Sequence, residues 1–177
     1  MKYIKLLLPL IFFTLFITKS FSAETVAVLD VRELLKNSKA AIAMKDQLNA
    51  VAKKYTEEDQ KQQKEIQKKE EELLRQKSTL TPEAFSDRKN AFEKTVIEFN
   101  KSSNAKRKAL TKAEKDAISQ IEDEVEKIVK QISETDKISA VIRKSAIILS
   151  DPTLDITQKV VDELNKKLSS VKVNVTP

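Results

Sequence analysis

Two rows of apolar residues, each stepping by three and four, run toward a single break at Thr81-Pro82-Glu83, and their relation constrains the fold more than any other feature of the chain. The first row is Ala41, Met44, Leu48, Val51 and Tyr55, continued in the same register through Gln62 to Ile66, Lys69, Leu73, Gln76 and Leu80. The second is Phe85, Phe92, Val96 and Phe99, then a polar stretch, then Leu110, Ala117, Ile121, Val125, Ile128 and Ile132. Such spacing places one apolar seam along each of two helices that zip together. Pro82 disfavours helical backbone at the residue before it, yet suits the first position of a new helix, with Thr81 as its cap and Glu83 in the acid-tolerant first turn. The pattern therefore predicts one helix from a cap at Asn37 or Ser38 to near Leu80, and a second from Pro82 to about Glu134.

Folded back at the break, the two seams agree in register. Phe85 faces Leu80, Phe92 faces Leu73 and Phe99 faces Ile66; further down, Leu110 faces Tyr55, Ala117 faces Leu48 and Ile121 faces Met44. Even the polar interruptions coincide, with Ser103 opposite Gln62 and Lys106 opposite Asp59. The expectation is an antiparallel helical-hairpin arm over 38–134, with its tip near 78–85 and a length of roughly 60 Å at about 1.5 Å per residue.

The flanks, 23–37 and 135–177, read as a discontinuous small β body with a closing helix. Thr25 to Asp30 (TVAVLD) is a strand with Val26 and Val28 on one face, and Val31 to Lys36 is a short helical turn. Ile138 to Ile142 (ISAVI) and Ala146 to Leu149 (AIIL) read as two short strands, followed by a turn at Asp151-Pro152. Asp155 and Gln158 resemble a capping box for a helix whose face is Ile156, Val160, Leu164 and Leu168. The tail alternates Val171, Val173 and Val175, which either adds an edge strand or frays. ISAVI and AIIL lack polar alternation and need cover on both faces. A body this small supplies only about 3–5 kcal/mol on its own. Self-association, most simply as a cyclic homo-oligomer, is therefore expected through Val26, Val28, Ile138, Val141, Ile142, Ile147 and Ile148.

The N-terminus reads as a signal peptide over 1–22. Lys2 and Lys5 precede an apolar run from Leu6 to Ile17, and small residues at Ser20, Ser22 and Ala23 suit cleavage near residue 22 or 23. The run falls short of the roughly 20 residues that span a bilayer. Removing Lys2, Lys5 and Lys19 lowers the net charge from +6 to +3. That low charge, with Tyr55 and three Phe as the only aromatics left, argues against nucleic acid as a partner.

Residue types missing from the chain narrow the chemistry further. It contains no Gly, so neither a phosphate-cradling loop nor a dinucleotide fingerprint can be written. It contains no His and no Cys, which removes the usual zinc sites, His-activated nucleophiles and lipid attachment through an N-terminal Cys. Glu57-Glu58-Asp59 and Glu70-Glu71-Glu72 lie on continuous helix, where consecutive carboxylates splay around the axis instead of converging on an ion. No catalytic residue, metal or cofactor is expected.

Candidate contact residues lie on the arm. The Phe85, Phe92 and Phe99 stripe reads as seam. Leu74 and Ile97, just beside it, either offer exposed apolar contact or widen the seam. Lys101, Lys106, Arg107, Lys108, Lys112 and Lys115 form a basic stretch broken only by Glu114. Such a stretch is either a solvated face or an attraction for acidic polypeptides or anionic lipid head groups. Lys77, Arg88 and Lys89 cluster near the tip.

Taken in order, the AVLD strand at Val26 to Asp30, the charged hairpin, ISAVI, AIILS and the helix opening at Leu154-Asp155-Ile156-Thr157 resemble the Skp (OmpH) family of periplasmic chaperones across essentially the whole mature chain. The resemblance implies a homotrimer in which a β barrel-like body carries three helical arms around a cavity. It also implies a periplasmic holdase that keeps unfolded outer-membrane proteins from aggregating without ATP. Family members typically carry glycines near the arm tip, where this chain has Thr81-Pro82. A structural coiled-coil envelope protein that binds one folded partner is the alternative reading.

Overall fold

The computed structural model describes residues 25–177, and the leader read at 1–22 lies outside the described residues. Strand β1 (Thr25–Leu29) leads through helix α1 (Val31–Asn37) into α2 (Lys39–Gln76), which is followed by α3 (Pro82–Asp136) and strand β2 (Ile138–Arg143). Two single 3-10 turns, Lys144–Ala146 and Pro152–Leu154, precede α4 (Thr157–Lys167). The architecture is mainly α, with a long antiparallel hairpin of α2 and α3 rising from a small β body.

Local chemistry starts each helix. The Asp30 carboxylate accepts from the backbone N–H groups of Arg32 and Glu33 and caps α1. Buried Ser38 accepts from Ala41 N–H and caps α2, and Thr81 accepts from Ala84 N–H at 3.2 Å and caps α3. Helix α2 stops at Gln76, one turn short of the expected Leu80. Pro82 holds Thr81 extended (ψ 155), and the chain approaches it through a turn in which Thr79 N–H, Thr79 Oγ1 and Leu80 N–H all donate to the Gln76 carbonyl. At the far end of α3, Lys137 adopts the left-handed conformation (φ 55, ψ 42) that ends the helix.

β1 and β2 pair in parallel, with Ala27 opposite Val141 and Val28 opposite Ile142. The whole arm is thus the crossover between two neighbouring strands. β1 is covered on both faces, with Ala27, Val28 and Leu29 all buried.

Three expectations for the body need correction. AIIL is not a strand: Lys144–Ala146 forms a 3-10 turn and residues 147–149 pair with nothing among the described residues. Ile147 has extended backbone (φ -119, ψ 134), but a strand exists only where a neighbouring edge supplies ladder bonds, and this chain places none beside it. The Asp155–Gln158 capping box does not form either. Asp155 bridges to Val28 and pairs with Lys144 at 2.8 Å, while Gln158 turns to Asp162, so α4 opens at Thr157 without a side-chain cap on its N-cap residue Ile156. The tail forms no strand, yet it is held: Gln47 donates to the Val171 carbonyl at 2.9 Å and accepts from Val173 N–H at 3.4 Å.

The core lies where the arm meets the body. Leu29 and Leu34 join Met44 of α2, Ile121 and Ile128 of α3, and Val160 and Leu164 of α4 in one apolar cluster. A hydrogen bond from Asp30 N–H to Thr157 Oγ1 at 2.8 Å fastens the end of β1 to the start of α4.

Candidate interaction surfaces

The arm divides into three zones that differ in packing. Ala109, Ala113 and Ala117 of α3 form a buried stripe leading toward the body, and Ala117 and Ile121 carry it into the core cluster that holds Ala40, Ala41 and Met44. Small side chains at i, i+4 spacing let the helix backbones come close. Leu110, expected on the seam against Tyr55, is displaced by this stripe. It is half-buried and lines a cleft beside Met44 and Leu48. Reading the seam by large side chains overlooked Ala109 and Ala113; their four-residue spacing with Ala117 was the available signal.

The middle zone is polar and fully partnered. Lys106 is only 8% exposed. Its Nζ lies 2.8 Å from Asp59 and 2.9 Å from Glu58, Ser103 donates to the same Asp59 carboxylate, and the ammonium sits 5.4 Å from the centre of the Tyr55 ring. Lys106 does not face outward with the rest of the basic stretch: it points into the seam at Asp59, as the register of the two rows predicts, because the helix period that exposes Lys108 turns Lys106 toward α2. The Asp59 hydrogen bond raises the Lys106 pKa more than burial lowers it. Burial pushes the Asp59 carboxyl up, but hydrogen bonds from Lys106 and Ser103, with the lysine charge, outweigh it and hold the pKa below the ordinary value.

The outer zone has no buried side chain. In α2 the last buried residue is Met44, and in α3 the first is Ser103. Ile66, Leu73, Leu80, Phe85, Phe92 and Phe99 all lie on the seam and are all half-buried. Leu73 and Phe92 line one cleft of about 270 Å³, Ile66 and Phe99 line the next, of about 260 Å³, and both clefts share Lys69 and Thr95. At the tip end, Arg88 donates to Gln76 Oε1 at 2.6 Å and Lys89 pairs with Glu93 at 3.5 Å, while Lys77 is exposed. Leu74 and Ile97 stand out at 63% and 65% exposure. They follow the seam residues Leu73 and Val96 by one, so they occupy equivalent heptad positions of antiparallel helices and lie on the same side of the arm.

Lys94, Lys101, Lys108 and Lys115 stand seven residues apart along α3, all exposed and none in an ion pair. Arg107 is exposed beside them. The acidic runs gather no ligand set: among the described residues, no group of three or more His, Cys, Asp or Glu is placed to hold a metal ion. No helix among them is long and apolar enough to cross a membrane.

At the body, Val28 is fully buried, Val26, Ile138, Val141 and Ile147 are half-buried, and Ile142 is 40% exposed. Beyond β2, Ile148 and Leu149 are bare, at 107% and 90%. An apolar hollow of about 460 Å³ between Leu29, Leu35, Val125, Val129 and Val141 opens at the arm root.

The family model described as Outer membrane protein (OmpH-like) matches residues 25–164. A crystal structure from Caulobacter crescentus CB15, described as that of a candidate outer membrane chaperone (OmpH-like), is similar with a TM-score of 0.79 over 87% of this chain and 91% of that one. At 17% sequence identity the likeness is one of fold. No curated protein matches the chain.

Proposed function

Because the chain belongs to the OmpH-like outer membrane protein family, we propose that it is a periplasmic chaperone, an ATP-independent holdase that binds unfolded outer-membrane proteins and prevents their aggregation. The observation that carries this reading is the outer arm, 60–76 of α2 and 82–102 of α3, whose apolar side chains are never buried, flanked by the exposed Leu74 and Ile97. An unfolded membrane β-barrel strand offers apolar side chains on alternate positions and unpaired backbone groups. Many weak apolar contacts on a charged, soluble surface retain such a chain without demanding one sequence.

The same reading includes a homotrimer built through the body. Ile142, Ile148 and Leu149 are exposed beside a sheet that has two strands among the described residues, and further copies would bury them. It also includes export by the leader at 1–22 and contact with anionic lipid through the unpaired lysines of α3. Dilution of a urea-unfolded outer-membrane β-barrel into buffer with equimolar trimer tests the central claim by light scattering. Suppressed aggregation with no nucleotide present is expected; unchanged aggregation sinks it.

A further inference from the structure

We propose that the outer half of the arm is a reversible zipper whose separation presents the seam itself to client polypeptide, and that Lys106 clamps the point where separation stops. The proposal deepens the holdase reading and rests on it for the identity of the client: an extended chain with apolar side chains along one edge.

Packing along the arm changes in kind, not only in degree. Inward of Lys106 the helices meet through buried Ala109, Ala113 and Ala117, where separation would expose a finished core. Outward of it no seam residue is buried, and two clefts lie between the helices beside Leu73–Phe92 and Ile66–Phe99. A pair of helices that leaves such space forfeits much of the dispersion contact that would hold it shut. Cross-helix polar ties in this zone reduce to Arg88–Gln76 among the hydrogen bonds and ion pairs of the described residues.

At the boundary the tie is strong. Lys106 bonds Asp59 and Glu58 together, Ser103 bonds the same Asp59, and every one of these groups has its partner. Separation of the outer helices, which the turn at 77–81 spans at the tip, thus meets little resistance as far as four interlocked polar groups and then the alanine stripe. What opening releases is well suited to the client. Phe85, Phe92 and Phe99 repeat at about 10.5 Å along α3, and Ile66 and Leu73 stand at the same spacing on α2. Each row stays on a helix whose other faces keep it soluble.

The chain has no native Cys, so a bridge can be placed uniquely. Gln76→Cys/Arg88→Cys in the full mature protein, joined by a reducible bis-maleimide, ties the outer zone while leaving every apolar seam residue in place. Asn49→Cys/Glu114→Cys, across the inner cleft, is the matched control. The bridged outer arm should lose most aggregation suppression and regain it on reduction; the inner bridge should change nothing. Suppression that survives the outer bridge, or a loss that reduction fails to restore, overturns the proposal. Amide exchange in the unmodified protein decides independently of any client. Residues 61–76 and 84–102 should exchange at least about tenfold faster than 105–121, and Lys106→Met should carry fast exchange inward. Equal protection in both zones overturns the zipper even if the protein holds clients well, whereas a failure to hold clients with zoned exchange sinks the holdase reading alone.

Discussion

Lys106 is a charged side chain on an apolar seam, and it is tolerated there because two carboxylates and an aromatic ring replace the water it loses. Removing one partner of such a group leaves the others desolvated. Lys106→Met should therefore cost about 1–2 kcal/mol, less than a fully buried pair because Asp59 and Glu58 keep some water. Lys106→Met/Asp59→Leu should recover most of that, and chemical denaturation of the two variants checks both values. The pH dependence follows from the direction of each shift. The Asp59 pKa is lowered on folding, so its contribution is complete above the ordinary carboxylate value and is lost as pH falls through the folded value. The Lys106 pKa is raised, so its share is complete below the ordinary lysine value and is lost only as pH rises through the folded one. Melting temperature should accordingly fall on acidification, and Asp59→Asn should flatten that fall. An equally steep acid limb in Asp59→Asn would assign it to other carboxylates. Lys137 is a second residue under local constraint, in left-handed backbone that a Cβ disfavours. Lys137→Gly should stabilise the protein by about 0.5–1 kcal/mol, the relief exceeding the entropy that glycine adds to the unfolded chain; a lower melting temperature would contradict this.

Helix α3 depends on its first turn. Thr81 supplies the one side-chain cap there, and Pro82 fixes the backbone that lets it do so. Thr81→Ala should cost about 1 kcal/mol locally, visible as faster amide exchange from Ala84 to Arg88 with little change near the body. Unchanged exchange would mean that Pro82 alone sets the start. The same contrast between local and distant causes explains what could be read from sequence. The hairpin was legible because seam spacing and a Thr-Pro break act within one or two helical turns. The cap of α2 at Ser38 is equally local, whereas Asp30, read only as the end of the strand, turns out to cap α1. AIIL was misread because its hydrophobicity signals burial, but only a partner edge makes a strand. The box at Asp155 was misread because Val28, Lys144 and Thr157 compete for the same residue from elsewhere in the chain. On the candidate surfaces, Leu74 and Ile97 were legible as positions just beside the seam, and the register of the two rows already set Lys106 against Asp59, whereas the composition of the basic run, taken alone, says nothing of which lysine faces inward.

The molecule as a whole is lopsided: a well-packed junction between an arm with no buried side chains in its outer half and a body with bare apolar residues at its edge. A two-stranded sheet is marginal in water. β1 escapes that limit because α-helical cover buries it, but β2 carries Ile142 at 40% exposure, and past the following turn Ile148 and Leu149 are almost wholly uncovered. Residues of this kind contribute about 1.5–3 kcal/mol each when fully buried, enough across the interfaces of the proposed homotrimer to decide whether the body assembles. Ile148→Asp/Leu149→Asp replaces that gain with a charge that an apolar interface would have to desolvate, and in the single chain it falls on side chains that already face water. The substitution should leave the arm and the Leu34–Ile121–Leu164 junction folded, with helicity retained, while sedimentation shifts from three chains toward one. Its melting temperature should also lose the concentration dependence that assembly confers on the parent. If the parent already sediments as one chain, or if the doubly charged variant assembles as well as the parent, the exposed edge serves something other than self-association, and the arms have no shared base from which to enclose a client.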